Sequence, residues 1–456
     1  MPICPIDTGR YGSFEMRRIF EEENRLQKML DVEAALAEAL AEVGEIPKEA
    51  ASMIRSKAVS RIVTVDRVKE KEKITKHDIA AMVEVLSEEC GEYGEYVHWG
   101  ATSNDITDTA LVLQLKEAFS IISKRLISLI ESLCGMAEKY RDLVMPGRTH
   151  GQHAIPITLG FKFAVYAAEL ARNYERMLQL SKRVLKGKIG GAVGTMAAFG
   201  EKALSIEEKT MSRLGLEPVE IATQVICRDR FAELILWTAL LGSSLDRIAV
   251  EIRNLQRTEI MEAAEGFGEQ QRGSSTMPQK QNPVDSEKVS GLAKLLRGMA
   301  IPALENISLW HERDLSNSSN ERFTIPLCMI LLDEMLITME NVLKNLRVYP
   351  ENMMRNLELT KGRIMSEAVM MKLARKGMGR KKAYETIRKL SRKAIAENKS
   401  LIEVLESDPE VTKYISHEEL TATMDPKNYL GKYRELINRA VSYALSKIDV
   451  ERKTLT

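Results

Sequence analysis

The stretch DTALVLQLKEAFSIISKRLISLIESLCGMA, residues 108–137, decides the fold class of this chain. Its large apolar side chains recur every three or four residues, which places them along one stripe of an α-helix. Polar residues at its start can cap the free backbone N–H groups of a first helical turn. The stripe comprises Leu111, Leu115, Phe119, Ile122, Leu126, Leu129, Leu133 and Met136, and the capping residues are Asn104, Asp105, Thr107 and Asp108. We predict a long bundle-forming helix and an all-α fold.

The rest of the chain has the same helical character, because long proline-free intervals are filled with Ala, Leu, Glu, Lys and Met. Apolar spacing predicts further helices at 157–186, 229–262, 284–300 and 325–345, and hardly any strand. Within the second of these, LILWTALLGSSLDRIAVEI is apolar nearly all round. Such a helix is typical of a bundle core or a subunit interface, so the pattern favours a protein that can form oligomers.

Length and composition limit the class of protein further. The chain has 456 residues, 44% hydrophobic and 29% charged, as expected of a soluble globular protein with two or three domains. We predict an N-terminal helical domain at 1–105, a central long-helix bundle at 106–348 and a C-terminal helical domain at 349–456. A formal net charge of +1 argues against binding to nucleic acid.

No apolar run is long enough to span a membrane, and the first residues, MPICPIDTGRYG, lack the apolar core of a secretion signal. We therefore expect a cytoplasmic protein with no membrane association. The five cysteines include no CxxC pair, which indicates neither a disulfide framework nor a zinc site. We expect them to be reduced and mostly buried.

The segment GSSTMPQKQNP, residues 273–283, has the composition of a reactive loop. Glycines at 266, 268 and 273 permit unusual backbone angles, whereas prolines at 278 and 283 stop a regular helix. Hydroxyl, ammonium and amide groups within it can together bind and orient an anion. These groups belong to Ser274, Ser275, Lys280 and Asn282. A solvated surface loop is the alternative interpretation.

Five of the six histidines lie in short polar segments, namely His77, His98, His150, His153 and His311. Histidine exchanges protons near neutral pH, and the accompanying Arg, Thr, Ser and Gln side chains bind carboxylate or phosphate oxygens. For each one, the alternative is a hydrogen-bonded structural histidine. A metal site is disfavoured, because HGQH does not place two ligands on one helical face and no HExxH motif occurs.

These segments carry a family resemblance. GSSTMPQKQNP resembles the signature loop of the fumarase/aspartase superfamily, while GRTHGQHAIPITLG, HWGATSNDITDTA and WHERDLSNSSNER resemble the adenylosuccinate lyase family in particular. The ends of the chain agree, since RYGSFEM is similar to the family's nucleotide-binding N-terminus and DPKNYLGKYRELI to its C-terminal helices. The resemblance covers nearly the whole chain.

The resemblance implies a three-domain all-α fold whose central bundle forms a homotetramer, with each active site built from three subunits. It implies β-elimination of fumarate from adenylosuccinate, which gives AMP, and from succinyl-aminoimidazole carboxamide ribotide (SAICAR), which gives AICAR, in purine biosynthesis. No metal or other cofactor is implied.

Residue roles transfer by motif position. The resemblance implies Ser274 as the base and His150 as the acid, supported by Lys280 and by Glu287, which orients the histidine. It also implies a set of substrate-binding residues: Arg10, Tyr11, His77, Asp78, His98, Thr102, Ser103, Thr149, Gln224, Ser275, Met277, Asn282, Arg313, Ser318 and Arg322. For His77, acid–base work is the alternative to binding.

Three positions depart from the common family pattern: Gln279 and Asn317 where many members have His, and Gln281 where many have Arg. They affect expectations about substrate preference rather than the proposed catalytic groups. Other functions remain as alternatives: another lyase or cycloisomerase of the superfamily, or a helical relative without activity. An RNA-binding helical protein is disfavoured by the neutral charge.

Overall fold

The computed structural model describes residues 4–268 and 270–452, and α-helices dominate it. The N-terminal part is built from short and medium helices whose apolar faces pack together. Leu30 and Leu36 in the second helix and Ile54 in the third, for example, are almost completely buried. The helices are α1 (Phe14–Ile19), α2 (Glu22–Glu42), α3 (Lys48–Lys57), α4 (Val65–Thr75) and α5 (Asp78–Cys90).

Five long helices follow, and each of the five predicted from apolar spacing is confirmed. The stripe that predicted the first one is buried, with Leu115, Ile122 and Leu126 fully inaccessible to solvent. The central helices are α6 (Ser103–Lys139), α7 (Leu159–Val184), the shorter α8 (Ala203–Leu214), α9 (Asp229–Leu255), α10 (Val284–Glu305) and α11 (Ser318–Lys344).

Shorter helices form the C-terminal part around an apolar cluster that includes Val369, Leu373, Leu401 and Leu405. Two of these helices begin with a capping box, at Ser400 and at Ser416. The helices are α12 (Pro350–Glu358), α13 (Ser366–Leu373), α14 (Arg380–Ala396), α15 (Leu401–Glu406), α16 (Pro409–Thr412), α17 (His417–Met424) and α18 (Tyr433–Arg452).

Strands are few, as predicted, but one hairpin stands where no strand was expected. In it, β1 (Val144–Thr149) pairs antiparallel with β2 (Gln152–Thr158), and the register shifts between Pro146 and Arg148. The shift is at Gly147, where a side chain would collide with the backbone of Ile155. The other strands are two residues each: β3 (Lys186–Gly187) with β4 (Glu217–Pro218), and β5 (Ala263–Ala264) with β6 (Arg347–Val348).

One local prediction was wrong, and a second was confirmed only in part. Helix α9 ends at Leu255 rather than at 262, because the chain reverses there: the Glu262 amide donates to the Leu255 carbonyl at 2.9 Å, and β5 then begins. Asp105 and Asp108 were predicted to cap α6. The Asp105 carboxylate does accept from the Thr102 amide just before the helix, at 2.9 Å, but both carboxylates also bind groups distant in the chain. Buried cations and loop amides competed for these acceptors.

The chain divides into two compact units. The first contains Met1–Leu126, Asn173–Leu245 and Gly291–Ile337, and the second contains Ile127–Arg172, Asp246–Ser290 and Thr338–Thr456. Within the part of the chain described above, no helix is long and apolar enough to cross a membrane. All five cysteines are free; Cys90, Cys134 and Cys328 are buried, whereas Cys4 and Cys227 are exposed.

Candidate active site

The first unit contains a cavity of about 910 Å³ lined by the start of α5, the start of α6 and the start of α11. It brings together six residues that the sequence predicted for substrate binding: His77, Asp78, Ser103, Arg313, Ser318 and Arg322. Four further predicted residues of this unit, Arg10, Tyr11, Thr102 and Gln224, lie outside its lining, as does His98.

Two guanidinium groups lie close together in the wall of this cavity. Arg322 and Arg25 approach the same carboxylate oxygen of Asp78, at 3.4 and 3.8 Å. Burial and the neighbouring charge of Arg322 lower the pKa of Arg25. Two guanidiniums around one acceptor can accommodate a further anion. Arg25 was missed by the sequence interpretation, since a lone arginine on an amphipathic helix carries no motif.

His77 has a structural contact as well as a place in the cavity. Its ring Nδ1 accepts a hydrogen bond from the Ala80 amide at 3.3 Å, so the side chain caps the N-terminus of α5. Its Nε2 lies 3.5 Å from the Ser103 hydroxyl. The His77 imidazole and the Ser103 hydroxyl are thereby held next to each other at the cavity wall.

Asp105 organises the backbone around the predicted binding residues. Its fully buried carboxylate accepts hydrogen bonds from the amides of Thr102, Gly190 and Gly191, at 2.8–2.9 Å. It also forms an ion pair with the ammonium of Lys188, which is 1% exposed. One carboxylate therefore joins the start of α6 to the loop that follows β3.

Hydrogen bonds link the Asp105–Lys188 ion pair to Gln224 and, through it, to Arg313. The Lys188 ammonium donates to the Gln224 backbone carbonyl at 2.9 Å. The Gln224 side chain accepts from Arg313 at 2.9 Å and donates to the carbonyl of Ala192 at 2.8 Å. Two predicted binding residues are thus hydrogen-bonded to each other.

A second buried charge cluster lies in the cavity wall. Arg228 makes two hydrogen bonds to Asp108, at 2.9 and 3.0 Å, and its Nε lies 3.4 Å from Glu321. Asn317, one of the departures from the family pattern, donates to the other Glu321 oxygen at 2.9 Å. Burial raises the pKa of Glu321 to about 7, aided by Asp108 and opposed by Arg228. Glu321 was also missed, although it lies beside the predicted Arg322.

His98 is bound to a carboxylate inside the first unit. Its Nδ1 lies 2.6 Å from Glu33, whose side chain is almost completely buried. Burial alone would lower the pKa of His98, but the charge of Glu33 and this hydrogen bond outweigh it, so the pKa is raised.

Near the N-terminus, the segment after Arg10 and Tyr11 packs on α11, where the Gly12 and Ser13 amides donate to Glu334 and Asp333.

The second unit presents His150 on the hairpin tip. Thr149 pairs with Gln152, so His150 and Gly151 form a two-residue turn, and both have positive φ, 53° and 74°. This is the signature of a type I′ hairpin turn, which non-glycine residues other than Asn and Asp adopt at some cost in strain. Thr149 and His150 are exposed. The turn therefore displays the predicted acid to solvent.

The predicted reactive loop also belongs to the second unit. Residues 265–268 and 270–283 form neither helix nor strand, as the glycines and prolines predicted. The Ser274 Oγ accepts hydrogen bonds from the amides of Thr276 and Met277, at 3.2 and 3.0 Å. Ser275, Met277 and Lys280 are exposed. Ser274 is thus the loop hydroxyl that two backbone donors surround.

The two ends of this loop are tied together. Asn282 donates to the Gly273 carbonyl at 2.7 Å, and a side chain at Gly273 would collide with the Lys280 carbonyl oxygen. Gln281, the second departure, accepts from Gln256 through its backbone carbonyl and from Arg347 through its side chain, at 2.9 and 2.6 Å. The side-chain amide of Gln281 therefore has a structural hydrogen bond with Arg347.

Helix α10 begins where the loop ends. The buried carboxylate of Glu265 accepts from the amides of Asp285 and Ser286, which caps the helix from outside. Burial raises the pKa of Glu265 against the effect of these hydrogen bonds. The predicted orienting residue, Glu287, is exposed in the first turn of α10.

Among residues 4–268 and 270–452, no group of His, Cys, Asp or Glu side chains is arranged to hold a metal ion.

Two family models match the chain. One, described as "Lyase", covers residues 9–298, and the other, described as "Adenylosuccinate lyase C-terminus", covers residues 362–440. The adenylosuccinate lyase of Pyrococcus horikoshii is 54% identical over 97% of this chain and 98% of that protein. The adenylosuccinate lyase of Methanothermobacter thermautotrophicus is 50% identical over the same shares.

Solved structures with the same all-α fold include a fumarate lyase from Mesorhizobium sp. BNC1, with a TM-score of 0.89 and 34% identity over 97% of this chain and all of that one. The 3-carboxy-cis,cis-muconate lactonizing enzyme from Pseudomonas putida has a TM-score of 0.90 and 33% identity over the same shares. The fold is therefore that of the fumarase/aspartase superfamily, and the C-terminal match and the relatives at 50% identity and above narrow the assignment within it. The chain belongs to the adenylosuccinate lyase family.

Proposed function

We propose that this enzyme eliminates fumarate from both adenylosuccinate and SAICAR, with Ser274 as the base and His150 as the acid. Ser274 removes the proton from the carbon beside a succinyl carboxylate, and the electrons of that C–H bond form the fumarate double bond. The bond from the adjacent carbon to nitrogen breaks, and its electron pair leaves with the nitrogen. His150 supplies the proton that completes the AMP or AICAR amine.

The observation that carries this proposal is the environment of Ser274. A serine hydroxyl is too weakly acidic to act as a base near pH 7 unless its alkoxide is stabilised. The amides of Thr276 and Met277 already donate to the Ser274 Oγ. Backbone donors aimed at an oxygen stabilise negative charge there without rearrangement. Lys280 adds a cation to the same loop.

The proposed substrate-binding residues include six that line the cavity of the first unit. Arg313, Ser318 and Arg322, with Arg10 and Tyr11, would hold the phosphate and ribose, since fork-shaped guanidiniums suit phosphate oxygens. Thr102, Ser103 and Gln224, with Ser275, Lys280 and Asn282, would surround the succinyl carboxylates and the base. The remaining predicted residues, His77, Asp78, His98, Thr149 and Met277, would line the site. No cofactor takes part in the proposal.

A homotetramer with shared sites is part of the proposal. Helices α9 and α10 keep apolar side chains exposed in the single chain, including Leu236 and Leu240 on one and Leu295 and Leu304 on the other. Mixing and reassembling inactive His150→Ala and Ser274→Ala proteins should restore partial activity, because some shared sites then contain both intact residues. Absence of recovery despite demonstrated subunit exchange would contradict shared sites.

The direct test follows the ultraviolet absorbance of the purified enzyme with adenylosuccinate in the presence of a chelator, with chromatography of the products. We expect AMP and fumarate in equal amounts, and AICAR and fumarate when SAICAR is supplied. A folded tetramer that turns over neither substrate would overturn the proposal, whereas turnover of one alone would restrict it to that substrate.

A further inference from the structure

Glu262 is the centre of a buried cluster next to the hairpin that carries His150. Its side chain is fully buried and accepts two hydrogen bonds from Arg148, at 2.6 and 2.8 Å. It accepts a third, at 2.8 Å, from Asn356 on α12. All three residues belong to the second unit. A buried carboxylate with three donors has one defined orientation.

The backbone around Glu262 is held as firmly as its side chain. Its amide donates to the Leu255 carbonyl and its carbonyl accepts from the Tyr349 amide, at 2.9 and 3.0 Å. The Asn356 amide group also donates to the Ile260 carbonyl at 2.8 Å. Glu262 is therefore a fixed point to which the hairpin is attached.

Arg148 is the residue of the hairpin that makes this attachment. It precedes His150 by two positions and pairs with His153 across the ladder. Beyond it, the tip residues from Thr149 to Gln152 are exposed. Two parallel hydrogen bonds to one carboxylate fix the direction of a guanidinium as well as its distance, which a lysine cannot reproduce. The position of the tip thus depends on the Arg148–Glu262 pair.

We propose that Arg148, Glu262 and Asn356 position His150 for proton transfer to the departing nitrogen, as positioning residues that do not touch the substrate. This inference rests on the proposed role of His150 as the acid. Proton transfer requires hydrogen-bond reach to the nitrogen, so a displaced tip slows cleavage of the carbon–nitrogen bond and leaves proton removal by the base intact.

A change of leaving group separates this role from a general structural one. The probe is an analogue of adenylosuccinate with sulfur in place of the nitrogen that is joined to the succinyl group. Its carbon–sulfur bond breaks to give fumarate and a thiolate, which is stable enough to leave without a proton from an acid. The analogue still needs the base. Loss of the acid should therefore lower kcat strongly for the nitrogen substrate and hardly at all for the sulfur analogue.

The measurements compare kcat and KM for both substrates in Arg148→Met, Arg148→Lys and Glu262→Gln, with His150→Ala and Ser274→Ala as references. We expect His150→Ala to lose roughly 100-fold or more in kcat with the nitrogen substrate and less than about 10-fold with the sulfur analogue. Arg148→Met should follow this pattern with a smaller loss, and KM should change little. Ser274→Ala should lose activity with both.

Lys162→Met serves as the matched control. It removes a 2.8 Å ion pair with Glu251 in the same unit, and Lys162 is as little exposed as Arg148. We expect its kcat to resemble wild type for both substrates. Thermal unfolding of each variant measures stability separately, and Arg148→Lys and Glu262→Gln provide milder changes if Arg148→Met does not fold.

The outcomes distinguish the two proposals. If His150→Ala is rescued by the sulfur analogue but the folded Arg148 and Glu262 variants lose activity equally with both substrates, or lose none, the positioning role is wrong and the acid assignment stands. If His150→Ala itself shows no dependence on the leaving group, the acid assignment fails first.

Discussion

The charge cluster around Asp105 in the first unit and the predicted reactive loop of the second unit differ in how their polar groups are held. In this cluster, one buried carboxylate, Asp105, binds three amides and an ammonium. In the loop, contacts concentrate at the two ends, while Ser275, Met277 and Lys280 are exposed. The first arrangement fixes the backbone around predicted binding residues of the first unit, and the second leaves these side chains of the predicted reactive loop exposed.

The difference has a physical reason. A buried ion with several hydrogen bonds holds distant chain segments in one geometry, because every alternative leaves a charge without a partner in a region of low polarity. A loop tied together at Gly273 and Asn282 can present a hydroxyl and an ammonium without burying either. Ser274 lies in the loop, but its hydroxyl oxygen is held in place by hydrogen bonds from two backbone amides.

The largest expected effect tests the loop. Ser274→Ala removes the proposed base, and we expect kcat to fall by more than about 10,000-fold, or roughly 5 kcal/mol in the barrier, with nucleotide affinity retained. Ser275→Ala is the matched control, because it removes the neighbouring hydroxyl, and it should keep measurable activity. Steady-state kinetics and equilibrium binding of AMP measure both quantities. The reverse pattern would reassign the base to Ser275.

The next effect tests the charge cluster around Asp105. Asp105→Asn leaves the Lys188 ammonium buried without its carboxylate, and we expect a loss of about 3–5 kcal/mol in the free energy of unfolding. KM should rise, because the amide of Thr102 loses its carboxylate acceptor and the Lys188 ammonium, which donates to the Gln224 carbonyl, loses the partner that positions it. Chemical denaturation and substrate kinetics check the two parts. Adding Lys188→Met should restore stability but not KM; failure to restore stability would mean that the charge is not the cause.

The smallest effect tests whether Glu321, in the wall of the first unit's cavity, gains or loses a proton near neutral pH. The pKa of Glu321 is about 7 in the folded protein against an ordinary value of 4.5, mainly because of burial. Between these pH values the folded protein keeps a proton that the unfolded chain releases, so this group makes stability fall as pH rises through that window. The total change is on the order of 3 kcal/mol or less.

Glu321→Gln mimics the protonated form and should abolish that dependence. Relative to wild type, its melting temperature should be higher at pH 8 than at pH 5, when both proteins are measured without nucleotide. A stability difference that does not change with pH would show that Glu321 is ionised throughout this range, balanced by Arg228.

Much of the fold could be predicted because its signals are local. The stripe from Leu111 to Met136 predicted α6, and the glycines and prolines around Ser274 predicted an irregular loop. The hairpin at 144–158 was missed, although His150-Gly151 offered a turn signal, because the surrounding helical pattern dominated the interpretation. Motif resemblance identified six residues that line one cavity, but not Arg25 or Glu321, whose places depend on packing.

The sequence by itself determined the helical class, the positions of the long helices and the family, since periodicity, turn chemistry and motifs are properties of neighbouring residues. Only the tertiary structure decided which charges are buried together. Arg148 meets Glu262 across 114 positions of sequence, and Lys188 meets Asp105 across 83. No local pattern encodes such partners, because they are selected by the path of the whole chain and by the high cost of an unpaired buried charge.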